Sequence, residues 1–388
     1  MTEYNVLNRL SEDWNDLREI IVYGYGRVSV RNIGKLQQDF QIKYIIDNNP
    51  ALRGKSYGAI PIQAFEQVKE KISGYKIIVA TSSFAYASIA ESLRKVGLAE
   101  FKDYCRLEDF MPEWYWKNRH EVCLSQTFSS VTSRCTFNCK YCNMLMPYYN
   151  CQNGYDYTAE DILADFDVYF KRVDYLTSYF VIGGEPLLNK DLSRILEMLF
   201  DKYGHKIGYM QIISNGSVVP DQELMRVIKK CNIQVRLSDY THVLPYEKKL
   251  QQVKDTFTEN GIPYSMSIYE TWMDLGFPHQ KIEPIGKTEE EAERHMQLCS
   301  PGCHILNDRK FYYCGLIFSA EKAGLFKLRP GDYIDLSDSK GELSDKEEML
   351  KYCLGSVENR YISICNVCRG TGCDNDHVIG VAEQYVGE

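Results

Sequence analysis

The chain has 388 residues, 44% hydrophobic and 25% charged, a length of two or three domains and a composition that excludes a wholly disordered protein. Its 45 basic and 53 acidic side chains leave a formal charge of −8, which argues against a general nucleic-acid binder. No run of about 18 apolar residues occurs, so no transmembrane helix is expected, and the polar, acidic start MTEYNVLNRLSEDWNDLREI does not read as a signal peptide, so a cytoplasmic protein is expected.

The first 17 residues are expected to form a leader helix. EIIVYG, 19–24, reads as a short buried strand, and Gly24-Tyr25-Gly26 follows it. A helical pattern covers about 28–40, and a second strand, KYIID, ends at Asp47. A turn-rich stretch, DNNPALRGKSYG, leads to a helix near 64–71. A third strand, 76–81, and a helix, 85–96, complete the series. This alternation predicts a Rossmann-like parallel sheet over 18–111. Gly-x-Gly at the first turn with an acid after the next strand is half of a dinucleotide fingerprint. Ser29 stands where the third glycine would be. Two readings stay open: the glycines help hold a nucleotide, or they only make the turn. The stretch from VYGYGRVSVRNIGKL through YIIDNNPALRGKSYGAIPI and IIVATSSF to RLEDF resembles small Rossmann-like modules attached to enzymes of bacterial surface-polysaccharide biosynthesis. Such modules accompany many different enzymes, so it is the glycine turn that leaves open a bound nucleotide or nucleotide-sugar, or a structural or partner-docking role.

FMPEWYWKNRHE, 110–121, reads as a segment joining two domains. A second series then begins. Strands are expected at 126–132, 177–182, 208–213, 232–237 and 262–268. Helices are expected near 159–172, 190–203, 221–231 and 246–260. The pattern predicts a partial (β/α)6 barrel over 112–290, with its chemistry at the C-terminal strand ends. GKTEEEAERH, 286–295, reads as a charged, solvated helix leading to a cysteine-rich extension over 291–388.

Fourteen cysteines are the unusual count. In a reducing compartment clustered cysteines point to metal or catalysis. Cys105, Cys123, Cys231 and Cys353 have no near neighbour of their kind and read as small buried hydrophobes. TSRCTFNCKYC places Cys135, Cys139 and Cys142 on one loop directly after a strand. Three thiolates hold three irons of a [4Fe–4S] cluster and leave the fourth open to a small molecule. Zinc, with Cys151 as a fourth ligand, and three free thiols are the other readings. The cysteine spacing, with Tyr141 in its aromatic slot, resembles the radical S-adenosylmethionine (SAM) enzymes. Further matches follow at later strand ends: Gly183-Gly184-Glu185 in FVIGGEPLL, Ser214 and Asn215 in IISNGS, Arg236 and Ser238 in VRLSDY. The resemblance implies that Gly183, Gly184 and Glu185 meet the methionine amine. It implies that Ser214 and Asn215 meet the ribose, and Arg236 and Ser238 the carboxylate. It implies reductive cleavage of SAM to a 5′-deoxyadenosyl radical.

The second group holds Cys299, Cys303 and Cys314, then Cys365, Cys368 and Cys373. Spacing leaves zinc and iron–sulfur open. The group is similar to the SPASM and shorter twitch extensions of radical SAM enzymes. That implies one auxiliary [4Fe–4S] cluster on Cys299, Cys314, Cys365 and Cys368, with Cys303 or Cys373 as replacements. HILNDRKFYYCG would be the intervening hairpin, turning at Asn307-Asp308.

An auxiliary cluster can accept the electron left by an oxidised substrate. The expected reaction is oxidation or epimerisation of a small sugar, amino sugar or nucleotide-sugar. A flavodoxin or ferredoxin is the expected electron donor. A peptide-modifying maturase and a non-catalytic iron–sulfur or zinc scaffold are the alternatives. Asp239 and Tyr240 are the acid/base candidates, with Asp274 and His279 behind them. Cys303, Cys373 and Cys151 are candidate hydrogen donors.

Overall fold

Short apolar runs alternate with amphipathic helices, and the folded chain follows that alternation twice. The computed structural model describes residues 8–81, 83–278, 287–299, 303–372 and 375–385. Contacts divide the chain into two units. The first is the chain up to Ser125 with Val173–Ser178 and Lys206–Tyr209; the second is Gln126–Arg172, Tyr179–His205 and the chain from Met210.

The first unit contains β1 (Glu19–Tyr23), α1 (Arg27–Asp39), β2 (Gln41–Ile46), β3 (Ser56–Tyr57), β4 (Ile60–Gln63), α2 (Phe65–Val68), β5 (Lys76–Val79), α3 (Ser83–Lys95), β6 (Tyr104–Arg106) and α4 (Leu107–Arg119). Its sheet runs β3-β4-β2-β1-β5-β6, and β3 is the antiparallel edge. The parallel strands therefore follow the 3-2-1-4-5 order of a doubly wound sheet, reversing beside β1. Ile20, Ile21 and Val22 are all buried, because helices cover both faces of such a sheet. Gly24 has φ +108, and a Cβ there would lie 2.5 Å from Thr81 Cγ2. The glycine is needed for this approach. Asp47 accepts from Tyr25 N and Asn49 N, both at 2.8 Å. The acid after β2 is thus committed to its own loops.

Two expectations change here. Among described residues, the stretch expected as a leader helix holds only a 3₁₀ turn, Glu12–Trp14. Trp14 is fully buried and donates to Phe101 O at 2.9 Å, so this stretch is part of the first core. The aromatic segment expected to join domains is α4. Phe110, Met111, Trp114 and Tyr115 bury it in the same core. A linker does not bury four large side chains in a row of helical turns.

The second series is β7 (Cys123–Ser130), α5 (Ala159–Arg172), β8 (Tyr175–Ile182), α6 (Leu192–Tyr203), β9 (Ile207–Ser214), α7 (Gln222–Lys230), β10 (Gln234–Asp239), α8 (Glu247–Glu259) and β11 (Tyr264–Ile268). After these come β12 (Thr271–Met273), α9 (Glu289–Leu298), β13 (Ile305–Asn307), β14 (Lys310–Tyr312), α10 (Gly315–Lys322), β15 (Tyr333–Asp335), α11 (Leu343–Cys353) and β16 (Val378–Gly380). The sheet order is β11-β10-β9-β8-β7-β13-β14-β15. Among the described residues five barrel strands stand in sequence. The chain after β11 does not extend the sheet among the described residues: β12 pairs antiparallel with β16. Growth occurs at the other side, where β13 pairs parallel with β7. Asn307 clamps this junction. Its Oδ1 accepts from Ser130 N at 3.0 Å and its Nδ2 donates to Ser130 O at 3.2 Å. The charged helix α9 is not wholly solvated, since Ala292, His295 and Met296 are buried. No helix among the described residues is long and apolar enough to cross a membrane.

The expected hairpin is β13–β14, but its turn is centred one residue later. Asp308 and Arg309 both have positive φ, +58 and +57, the geometry of a type I′ turn that matches strand twist. Asp165 of α5 holds this turn by accepting from Arg309 N at 2.6 Å. Its other oxygen is buried without a partner. Burial first, then the nearby Asp308 charge, pushes Asp165 from the ordinary 3.8 up to about 7. A raised acid stabilises the fold fully below about pH 4, and that contribution is lost as pH rises through about 7. Wild type should therefore lose on the order of 2–4 kcal/mol over this window. Asp165→Asn keeps the acceptor for Arg309 N and should flatten the loss. Urea unfolding at several pH values checks this; parallel pH slopes for the two proteins would remove the account.

Candidate functional site

The ends of β7, β8, β9 and β10 deliver their loops to one cavity of about 410 Å³ in the second unit. Cys135, Cys139 and Cys142 line it from the loop after β7, with Tyr141 beside them. Gly183 and Gly184 line it from the end of β8, and Ser214 and Asn215 from the end of β9. Arg236 and Ser238 come from β10, and Tyr240 directly follows it. Burial raises all three thiols, Cys135 to about 12 and Cys139 to about 11. Neighbouring thiol charges add to the shift of Cys135. Thiolates in such a place need a cation opposite them. Among the described residues no three His, Cys, Asp or Glu side chains converge as on a single metal ion. The thiols stand on a cavity wall instead.

Backbone contacts fix the cysteine loop. Gly184 N donates to Thr132 O at 2.9 Å and Glu185 N to Arg134 O at 2.8 Å. A Cβ on Gly184 would fall 2.2 Å from Arg134 O, and one on Gly183 would fall 2.6 Å from Thr132 O. The glycine pair is thus set by close approach to the cysteine loop. Glu185 is fully buried and does not line the cavity. Its two oxygens accept from Leu187 N at 3.1 Å and Asn215 N at 2.8 Å. Burial pushes this carboxyl up to about 7. The structure makes Glu185 a brace between two strand ends, where a direct ligand contact was expected. Asn215 is also engaged: its Nδ2 donates to Thr136 Oγ1 at 3.1 Å and to Cys135 Sγ at 3.6 Å. Arg236 differs, for its Nε is buried without a partner.

The acid/base expectations divide. Tyr240 lines the cavity, edge-on to Trp272 at 5.7 Å. Burial holds its phenol well above the usual range, so it stays protonated. Asp239 does not line the cavity; its Oδ1 accepts from Thr241 N at 2.8 Å and Thr241 Oγ1 at 2.7 Å. It is a turn-forming acid. Asp274 pairs with Arg369 and accepts from Gly276 N at 2.8 Å. His279 lies outside the described residues.

The second cysteine group gathers in the same unit. Cys299 and Cys314 raise one another's neighbours: both act on Cys365 and on Cys368. Burial is the first cause there, taking Cys314 to about 11 and Cys368 to about 12. Lys287 caps the carbonyls of Cys365 and Cys368. Cys303 is raised to about 12 by burial, then by Cys314, and it lines the cavity together with Thr371. Thr371 Oγ1 lies 3.7 Å from Cys299 Sγ. Cys373 lies outside the described residues. Cys151 is exposed and lines a different hollow. Sequence reasoning missed Met144, Tyr269, Trp272 and Met273, which also line the cavity. Nothing in their local pattern separates them from core residues.

Residues 129–298 match the model of the radical SAM superfamily. GTP 3′,8-cyclase of Campylobacter jejuni is 33% identical over 119 residues, 29% of this chain and 34% of that protein. The enzyme of the same name from Sulfurimonas denitrificans is 34% identical over 77 residues, 19% of this chain and 22% of its own. The match thus spans about a third or less of these curated relatives. Among solved structures, BtrN in complex with AdoMet and 2-DOIA aligns at 13% identity with a TM-score of 0.41, covering 68% of this chain and 98% of that one.

Gly184→Ala should displace the cysteine loop, while Gly26→Ala, whose Cβ meets nothing within 4 Å, should not. After anaerobic reconstitution the first variant should hold roughly four fewer irons than wild type with unchanged circular dichroism. Full iron in Gly184→Ala would show that the loop tolerates the added methyl.

Proposed function

We propose, from this chain's membership of the radical SAM superfamily, that it removes a hydrogen atom from a small sugar-type substrate and completes an oxidation within one cavity. Superfamily members bind a [4Fe–4S] cluster with SAM, which together supply a 5′-deoxyadenosyl radical. Cys135, Cys139 and Cys142 would hold that cluster. Their fit is chemical: buried thiols gain charge only against a cation, and N–H donors from Phe137 and Asn215 already face Cys135 sulfur. The orphaned Arg236 Nε suits a carboxylate.

One observation carries the oxidative reading. The cavity lined by the first thiols reaches Cys303 and Thr371, which adjoin the second group. Cys299, Cys314, Cys365 and Cys368 would hold an auxiliary [4Fe–4S] cluster there. Oxidising an alcohol to a ketone removes a hydrogen atom, a proton and an electron, and this cluster's service is to take the electron. Tyr240 and Trp272 give the wall aromatic faces suited to the C–H face of a sugar ring. Among the described lining residues Arg236 is the one permanently charged side chain. That favours a neutral sugar over the nucleotide named for the cyclase relatives. Asp239 is not proposed as the base, since it does not line the cavity and its Oδ1 holds the Thr241 turn. A flavodoxin or ferredoxin would feed the first cluster in a cytoplasmic setting. The first unit, with its resemblance to polysaccharide-linked modules, would hold a nucleotide or a partner protein.

Cys303 favours a second outcome at the same site. A thiol on the cavity wall can return a hydrogen atom to the opposite face, giving epimerisation. Cys303→Ala separates the two: oxidation should survive it, and epimerisation should stop with the substrate radical left unquenched.

The direct test counts iron in reconstituted wild type and in the Cys135/Cys139/Cys142→Ala variant. Roughly eight irons per chain should fall to roughly four, and SAM cleavage under strong reductant should vanish. Four falling to none, with zinc in the remainder, would make the second group structural and sink the oxidative reading.

A further inference from the structure

The segment from Val378 to Tyr385 returns to the cysteine loop, and none of the chemistry above uses it. β16 is anchored on β12. Beyond it the chain runs antiparallel to the cysteine loop, with Gln384 bridged to Cys139. Lys140 N donates to Glu383 O at 2.7 Å, and Tyr385 N donates to Asn138 O at 2.6 Å. Val381 and Ala382 are buried with Cys139, against Phe137, Tyr240 and Trp272. Ala382 takes φ +53, a left-handed conformation that is disfavoured for a residue with a Cβ. The packing and the backbone pairs hold it there.

The two ends of the Gln384 amide are assigned by their partners. Oε1 accepts from Asn138 N at 2.9 Å. Nε2 then donates to Ala382 O at 2.7 Å and points at Cys139 Sγ at 3.4 Å. Swapping the ends would set an N–H against an N–H and a carbonyl against a carbonyl. An amide N–H gains little from a neutral thiol and more from a metal-bound thiolate. Cys135 receives donors from its own loop and from the end of β9. Cys139 receives this one from 245 positions away.

We propose that Gln384 is a positioning residue for the SAM cluster, which ties the cysteine loop to the 378–385 segment and raises the cluster's reduction potential through its N–H···S bond to Cys139. The inference rests on reading Cys135, Cys139 and Cys142 as cluster ligands. Reduction adds negative charge to the cluster and its sulfurs. A donor aimed at one of them stabilises the reduced state more than the oxidised state. The residue acts through Cys139 and touches no substrate.

The test is an EPR-monitored reductive titration of reconstituted protein, with the relevant cluster identified by the change in its signal on adding SAM. Wild type is compared with Gln384→Met, which keeps length without a donor, and Gln384→Glu, which keeps shape but only accepts and adds charge. Iron content should match wild type in Gln384→Met. At the wild-type midpoint its reduced-to-oxidised ratio should fall roughly tenfold, a shift of about 59 mV to more negative potential. Gln384→Glu should shift further the same way. A wild-type midpoint in Gln384→Met with full iron overturns the proposal. So does loss of about four irons in both variants, which would make the segment a clamp without electronic effect. A wild type that assembles no SAM-responsive cluster would instead remove the ligand reading, and this inference with it.

Discussion

Three thiols crowd one cavity wall, Cys139 buried and Cys135 and Cys142 partly so, and presenting them together is the constraint that the surrounding backbone meets. Burial pushes Cys135 to about 12 and Cys139 to about 11, so their charged forms require a cationic partner. A loop that must present three such groups at fixed separations cannot be left to its own backbone. It is pinned on one side by Gly183 and Gly184, whose missing side chains let two strand ends touch backbone to backbone. Glu185 ties the next strand end to the same assembly through Asn215 N. A rigid frame of this kind lowers the reorganisation that a reactive site would otherwise need.

The same frame explains why polar residues near the site divide into two sorts. Glu185 and Asn215 are hydrogen-bonded within the protein, and Asp239 holds the Thr241 turn through Oδ1. Arg236 differs, with its Nε unpartnered. A buried donor without a partner is costly, and Arg236 keeps this one on the cavity wall. The remaining wall is largely aromatic and sulfur-rich. The adjoining hairpin is held to the first barrel strand by Asn307 and to α5 by Asp165. The second thiol group is thereby carried by elements fastened to the strand that bears the first.

Much of this was legible in the sequence, because it depends on local order. The five strands with four helices between them, the three clustered cysteines and the glycine pair are contiguous patterns with a direct physical meaning. With the polar groups read at the later strand ends, they located about half of the residues that line the cavity. Composition likewise set the charge and the lack of a long apolar helix. The doubly wound order of the first sheet also follows from short strands alternating with helices.

What the sequence could not determine involves partners distant along the chain. Trp14 and α4 read as a leader and a linker, since nothing local shows that their aromatic faces share one core. Asp239 reads as a catalytic acid until Thr241 is seen to take its carboxylate, and Glu185 reads as a ligand contact until both oxygens are found on backbone amides. The turn at Asp308 and Arg309 depends on an acid in α5. Gln384 lies 245 positions from the sulfur it faces. Sequence spacing fixes which chemical groups are present and which neighbours share a loop or a strand end. Only tertiary packing decides which hydrogen bonds are already spent, and hence which groups remain free to act.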